Sequence, residues 1–478
     1  MHLHFNGIDG HTGKYAFPKL SPEELADIAR FNLDRRATGD PLHFQDLADR
    51  AQRYHPGVFE LSDGRDPKNL AQAGWAAILP HDADPAILAA LQPLLELRRE
   101  QASKLDPRRF QVFSGRSGFQ PEQSKSNFLA IHHAGRDYAD FPYYLLIVGG
   151  PDQIPFSFQY QLDVDYAVGR IHFDCVEDYA QYAASVVAVE GDGFRRPRNA
   201  VFFGVRNGID DSTTRTSTNL VAPLKTSLEK DQPTWQVDTI EPTEATKARL
   251  AQLMGGDQTP AFLFAACHGS VFQRGDPRQL AGMGSLVCAD WQAPEPPRPK
   301  PGDWFGGDDI LRDANLKGLV AFLFACFGAG TPHKNDFVYM GENEPAVLAD
   351  KPFVSYLAKR LLAHPKGGAL AVVGHVDRAW TYSFESPHGA PQLDAFQSCL
   401  TRLMEGHPVG SAMESFNHRY ANLSVELLDM LTKASVSPVN ETKLAVEWAC
   451  HNDARDYVII GDPAVRLSVE ELSGNPSI

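Results

Sequence analysis

Two residues in this chain have side chains and surroundings suited to attack on a carbonyl. His268 lies just past the apolar run Ala261-Phe262-Leu263-Phe264-Ala265-Ala266, within Cys267-His268-Gly269-Ser270. Cys326 lies just past a second such run, Leu319–Ala325, and opens Cys326-Phe327-Gly328-Ala329-Gly330. In open α/β sheets, sites collect at the carboxyl ends of the strands. The 58 residues from one to the other leave room for a crossover between neighbouring parallel strands. A Cys thiolate attacks the carbonyl, and the imidazole holds or relays the proton. Glycine directly after His268 lets a backbone N–H face the reacting carbonyl, where an oxyanion hole needs it. Cys267 adjoins His268, but neighbours on a strand point to opposite faces, so Cys267 is expected in the core. Cys175, Cys288, Cys399 and Cys450 have no comparable context and read as core or surface thiols.

The elements that must position this pair follow a strand–helix rhythm. Ser21-Pro22-Glu23-Glu24 is a capping box with proline at the first helical position, opening a helix to about Phe31. Leu61–Pro67 is turn chemistry and a plausible boundary. A strand at Trp75–Pro80, an amphipathic helix at Pro85–Gln101 and a strand at Tyr143–Val148 follow. Beyond them come strands at Ala200–Val205, Gln236–Ile240, Ala261–Ala266, Leu319–Ala325, Ala369–Val373 and Tyr457–Ile460. Helices are expected at Asn219–Leu228, Glu244–Met254 and Phe353–Ala363. Strands apolar on both faces belong to a parallel sheet covered by helices on both sides. The chain therefore divides into an extension at 1–70, an α/β half at 71–195 and a larger α/β domain at 196–478, the half being a degenerate copy of the second's strand–helix order.

Composition narrows the function classes. With 478 residues, 43% hydrophobic and 22% charged, this is an ordinary globular chain. Lys+Arg 45 against Asp+Glu 60 gives a net charge of −15, which disfavours nucleic acid and anionic membranes as partners. No run approaches a membrane helix, and Met1–Gly7 has no secretory character. Six cysteines without a CxxC read as reduced thiols of a cytoplasmic protein. No metal or other cofactor is expected. Asp163 and Asp165 are two carboxylates without further ligands, and His132-His133, like His2 and His4, lacks the rest of a zinc site. Gly282-Met283-Gly284-Ser285 follows no strand and is no dinucleotide fingerprint. Ala293–Pro301 is an irregular, proline-rich surface loop.

The two motifs around His268 and Cys326 resemble the His-Gly and Cys motifs of the caspase-like (clan CD) cysteine peptidases, in their gingipain-like and CHAT-like branches. Tyr166-Ala167-Val168-Gly169-Arg170-Ile171, Ala369–Gly374 and Val458-Ile459-Ile460-Gly461-Asp462-Pro463-Ala464-Val465-Arg466-Leu467 match further, in the order that gingipain-like domains show. The resemblance spans roughly 140–470 and leaves 1–130 unmatched. It implies a caspase-like α/β/α sandwich and a bacterial cysteine endopeptidase acting on protein or peptide substrates. His268 would be the base, Cys326 the nucleophile, and the N–H groups of Gly269 and Cys326 the oxyanion donors. It implies a dyad, with no third acid sought.

The resemblance also points to Thr214–Leu220 as the wall of the P1 pocket. There Arg215 would clamp an acidic side chain, whereas Asp210 or Asp211 in the same loop would bind a basic one, or these residues would pair with each other. Asp377, with Arg378, would line the same cleft. Regulation by an activating partner or by self-cleavage in the loops at 274–318 and 331–351 is expected of such an enzyme. The other readings are a module that kept the fold and lost the activity, and acyl transfer on a non-peptide substrate.

Overall fold

The computed structural model describes residues 7–17, 20–21, 23–30, 64–132, 141–191, 193–291, 304–337, 347–386, 389–434 and 440–471. The turn at 61–63, His2, His4, His133, the loop at 293–301 and parts of the two proposed cleavage loops lie outside these residues. In chain order the strands are β1 (Gly7–Asp9), β2 (Trp75–Ile78), β3 (Phe110–Phe113), β4 (Tyr144–Val148), β5 (Ala167–Ile171), β6 (Asn199–Gly204), β7 (Gln236–Ile240) and β8 (Phe262–Ala266). Then come β9 (His268–Val271), β10 (Leu286–Val287), β11 (Trp304–Phe305), β12 (Val320–Phe324), β13 (Gly330–Thr331), β14 (Phe353–Val354), β15 (Ala371–His375) and β16 (Tyr457–Gly461).

Ten of these strands make one sheet in the order β3-β2-β4-β5-β16-β15-β12-β8-β6-β7. Its pairings are parallel except at one seam, where β15 and β16 run antiparallel. The strands of 75–171, with β16, therefore point one way, and those of 199–375 point the other. Only the second group brings its carboxyl ends to the edge that carries His268 and Cys326. Strands β4, β8, β12 and β15 are buried at every position, as a sheet with helices on both faces requires. A second, four-stranded sheet, β1-β9-β10-β11, grows from the end of β8, which it reaches through Cys267.

The local rules held where caps were explicit. Residues 23–30 are helical, with Glu24 N–H on Ser21 Oγ at 3.2 Å and Ser21 N–H on the Glu24 carboxylate at 2.7 Å. Elsewhere the structure departs from expectation for identifiable reasons. The single helix expected at Pro85–Gln101 is two, Pro85–Ala90 and Gln92–Ala102, broken at Leu91 because Pro93 has no N–H for the carbonyl of Ala89. The expected loop around 211–218 is helix: Asp211–Arg215 runs through a π turn, Thr216–Val221, into Ala222–Asp231. Its N-cap is Asp210, whose carboxylate accepts the N–H of Thr213 at 2.7 Å. The strand expected at Ala369–Val373 begins two residues later, and Phe353–Val354 leaves the expected helix to pair with Gly330–Thr331.

Candidate active site

Sheet register brings the two reactive residues level. Strands β8 and β12 are parallel neighbours with Ala266 opposite Phe324. His268, at the start of β9, and Cys326, just past β12, each lie two residues beyond that pair. Contact is closest between backbones: a Cβ on Gly269 would sit 2.0 Å from the carbonyl oxygen of Cys326. Glycine after the histidine is thus required for close approach of the two motifs. Gly284 plays the same part from the other side, since a Cβ there would lie 2.1 Å from the carbonyl oxygen of Phe327. Phe327 itself has φ +59, a left-handed conformation costly for a bulky residue, which turns the chain sharply after Cys326.

His268 is fully buried and oriented by a carboxylate. Its Nε2 lies 2.9 Å from Oδ2 of Asp210. An ionised carboxylate only accepts, so Nε2 carries a proton toward Asp210. Nδ1 is buried and has no hydrogen-bond partner among the described residues. Asp210 is 2% exposed and also accepts from Thr213 Oγ1 at 2.6 Å and from the Tyr15 hydroxyl. Burial alone would raise its pKa, but the charge and hydrogen bond of His268, with the bonds from Thr213 and Tyr15, hold it well below the usual range. Tyr15 is pushed the opposite way by burial and Asp210, so it stays a donor. The rings of Tyr15 and Trp291 stand edge-on to His268 at 6.0 and 5.8 Å.

Cys326 is fully buried against the loop that follows β15. The N–H of Ala379 points at its sulfur at 3.2 Å, and the carbonyl oxygen of Ala379 lies 3.9 Å from the same atom. In the same loop, Asp377 gives its carbonyl to the N–H of Phe327 at 2.8 Å and one carboxylate oxygen to the N–H of Arg378 at 2.7 Å. Burial raises the Asp377 carboxyl to about 7. Asp377 is therefore a buried brace behind Cys326, where the sequence had suggested a cleft lining.

The other expected pocket residues are placed differently. Asp210 was expected in a P1 loop; its oxygens are instead taken by His268, Thr213 and Tyr15. Arg215 does not pair with Asp210 or Asp211 through any bond described; its guanidinium lies 3.2 Å from Glu385, which also accepts from Asn219 at 2.5 Å. Glu385 follows Phe384, whose ring packs on Phe324, two residues ahead of Cys326. Asp211 is exposed in the first helical turn beside its cap. Sequence reasoning missed Asp210 as the histidine's partner and Glu385 altogether. An N-cap aspartate at a strand-to-helix turn was the one available clue to Asp210. Burial raises the thiol pKa of Cys267, Cys288, Cys399 and Cys450, and Cys175, though exposed, is raised as well. Among the described residues no group of three His, Cys, Asp or Glu is placed to hold a metal, and no helix is long and apolar enough to cross a membrane.

Residues 347–468 match the model of peptidase family C25. The match takes in β15, Asp377 and β16 and stops short of His268 and Cys326. Among solved structures, the chain is similar to the Arg-specific cysteine proteinase gingipain R (TM-score 0.48, 13% identity, 83% of this chain and 78% of that one). The complex of Porphyromonas gingivalis RgpB pro- and mature domains gives 0.43 and 13%, over 82% and 79% of the two chains. The Saccharomyces cerevisiae separase–securin complex gives 0.28 and 10%, covering 67% of this chain and 16% of that one. No curated protein sequence matches the chain. The C25 match and the motif resemblance point to the same group of gingipain-like, caspase-like cysteine peptidases.

Proposed function

We propose that this protein is a cysteine endopeptidase that cleaves protein or peptide substrates with Cys326 and His268, in the cytoplasm. The observation that carries the reading is the buried, unpartnered Nδ1 of His268, held by Asp210 at the strand end level with Cys326. A buried acceptor left without a partner costs roughly 1–3 kcal/mol, and function is one reason to keep it. Cys326 gives its thiol proton to Nδ1 of His268, and the resulting thiolate adds to the peptide carbonyl carbon. The C–N bond breaks as His268 gives its Nδ1 proton to the leaving amine, leaving a thioester. Water then attacks, His268 takes its proton, the acid departs and the thiolate–imidazolium pair returns. Asp210 stabilises the imidazolium and fixes the ring, so it is a positioning residue. The N–H groups of Gly269 and Cys326 are the proposed oxyanion donors, and no cofactor enters the scheme.

Arg215 and Glu385 stand together as the charged pair nearest the proposed P1 wall. A P1 side chain of either sign would compete for one of them, so the P1 class is open between acidic and basic. An activating partner or self-cleavage remains part of the proposal. The rival reading, a fold without activity, is favoured by one observation: His268 and Cys326 are both 0% exposed. The experiment is brief, substoichiometric iodoacetamide with modification mapped residue by residue, because Cys175 is exposed, followed by a mixed-P1 fluorogenic peptide panel. Cleavage by wild type and not by Cys326→Ala supports the peptidase. No cleavage, with Cys326 no more reactive than Cys267, sinks it.

A further inference from the structure

Part of the cover over His268 comes from the start of the described chain, which also reaches the residue after Cys326. Residues 7–17 form a hairpin whose first strand, β1, occupies the edge of β9 in parallel register, Gly7 opposite Gly269 and Ile8 opposite Ser270. Gly10 N–H continues the ladder to the carbonyl of Val271 at 2.8 Å. The chain then reverses around Asp9, whose carboxylate accepts the N–H groups of His11 and Thr12 at 2.9 and 2.6 Å, and returns with Tyr15 bridged to Ile8. On the return, Tyr15 places its hydroxyl on Asp210 and its ring edge-on to His268. Phe17 tilts against Phe327 at 6.4 Å, with the guanidinium of Arg378 over its face at 3.6 Å. The hairpin therefore touches the histidine, its carboxylate and the residue after the nucleophile.

This attachment is slight compared with the sheet beneath it. Strand β1 is terminal in its sheet and pairs over three residues, whereas β8 and β12 pair over five. The outer side of the hairpin is in water: His11 and Thr12 are exposed, and Tyr15 is 43% exposed. Without it, β9 would present a free row of N–H and C=O groups beginning at His268 itself. Such an edge is a template for another extended chain. Any strand lying on it passes its backbone beside Gly269, whose Cα abuts the carbonyl of Cys326.

We propose that the edge of β9 is the main-chain docking slot for an extended polypeptide substrate, and that the hairpin of residues 7–17 is its resident occupant, which leaves when substrate enters. This rests on the reading of Cys326 and His268 as the reacting pair. The slot recognises backbone, so its ligand is an unfolded segment or loop of a protein, with side-chain preference added by neighbouring pockets.

Gly10→Val tests this in the full chain, because a Cβ at Gly10 would already lie 2.3 Å from the ring of Phe272, the residue after β9. Residue-resolved iodoacetamide labelling should show Cys326 at least tenfold faster in the variant, with Cys267, Cys399 and Cys450 still protected as proof of an intact fold. An unchanged or slower Cys326 with those three protected overturns the proposal. Amide hydrogen exchange on the wild type supplies the second measurement and decides the matter should the variant unfold. The amides of Gly10 and Ala16 should open well before those of β8 and β12, and equal protection overturns the proposal. The peptide panel separates this from the activity itself. Faster labelling without cleavage leaves the slot standing and removes the peptidase, while equal cleavage by wild type and Gly10→Val does the reverse.

Discussion

Two histidines in this molecule are fully buried against aspartates, and they are built for different ends. His375, at the end of β15, has both ring nitrogens engaged: Nδ1 with the carbonyl of Asp377 at 3.0 Å, Nε2 with the carbonyl of Asp453 at 3.0 Å and its carboxylate at 3.5 Å. Burial alone would lower its pKa, but the hydrogen bond and charge of Asp453 win and raise it to about 9. Asp453 is itself tied to Ser383 and to the N–H of Trp380. That histidine is a rivet between β15, the helix Glu441–Arg455 and the loop that carries Asp377. His268 has one nitrogen fixed by Asp210 and the other buried without a hydrogen-bond partner among the described residues. Burial and a carboxylate partner are common to both histidines, and the unpartnered ring nitrogen is what sets His268 apart.

The contrast can be broken most decisively by deleting each ring. His268→Ala should cut peptide cleavage by about 10²–10⁴-fold with a nearly unchanged denaturation midpoint. His375→Ala should instead cost about 1–3 kcal/mol in urea denaturation, because it leaves the buried carbonyls of Asp377 and Asp453 without their ring donor. If His268→Ala unfolds the protein and His375→Ala selectively abolishes cleavage, the assignment is reversed. Next in size is Asp210→Asn, which removes the fixed negative charge. We expect kcat/KM to fall by about 10²-fold, within the range of a lost proton-transfer aid, with KM little changed. A pure KM effect would return Asp210 to the substrate pocket.

Smaller effects sharpen the same comparison. A histidine whose folded pKa is raised contributes stability that is complete below its unfolded value of 6.5 and is lost as pH rises through about 9. Denaturation of wild type across pH 6–10 should therefore show a loss of up to about 3 kcal/mol that His375→Gln flattens. A slope that survives in His375→Gln belongs to another group. Last, Gly269→Ala should destabilise by about 1–3 kcal/mol, since the added methyl meets the Cys326 carbonyl, and should lower cleavage with it. A stable and fully active Gly269→Ala would mean that the two motifs need not touch.

Much of the fold was legible because each central strand is a continuous apolar run, and the two strand ends that meet announced themselves by residue type. The motifs beyond the dyad prove to be joints. Gly169 allows β5 to approach β16, where a Cβ would lie 2.2 Å from the carbonyl of Gly461. Asp462, fully buried, binds Arg98 at 2.7 Å and the indole N–H of Trp75 at 3.0 Å. What could not be read were relations between distant segments. That Tyr15 reaches Asp210, or that Arg215 meets Glu385 170 residues on, depends on how the sheet stacks its strands, which no local pattern encodes. The reversal of direction at β15–β16 was equally hidden, because an apolar strand reads the same in either orientation.

That seam also governs when the molecule comes into being. Strand β16, at Tyr457–Gly461, lies between β5 and β15, so the two groups of strands have no shared edge until it is in place. On a ribosome the rest of the sheet emerges first, and the edges of β5 and β15 wait unpaired until Tyr457–Gly461 has been made. Such late, long-range closure slows folding and exposes nascent chains to chaperones. It also means that a product lacking β16 would keep β15-β12-β8-β6-β7 beneath Cys326 but lose its join to β3-β2-β4-β5.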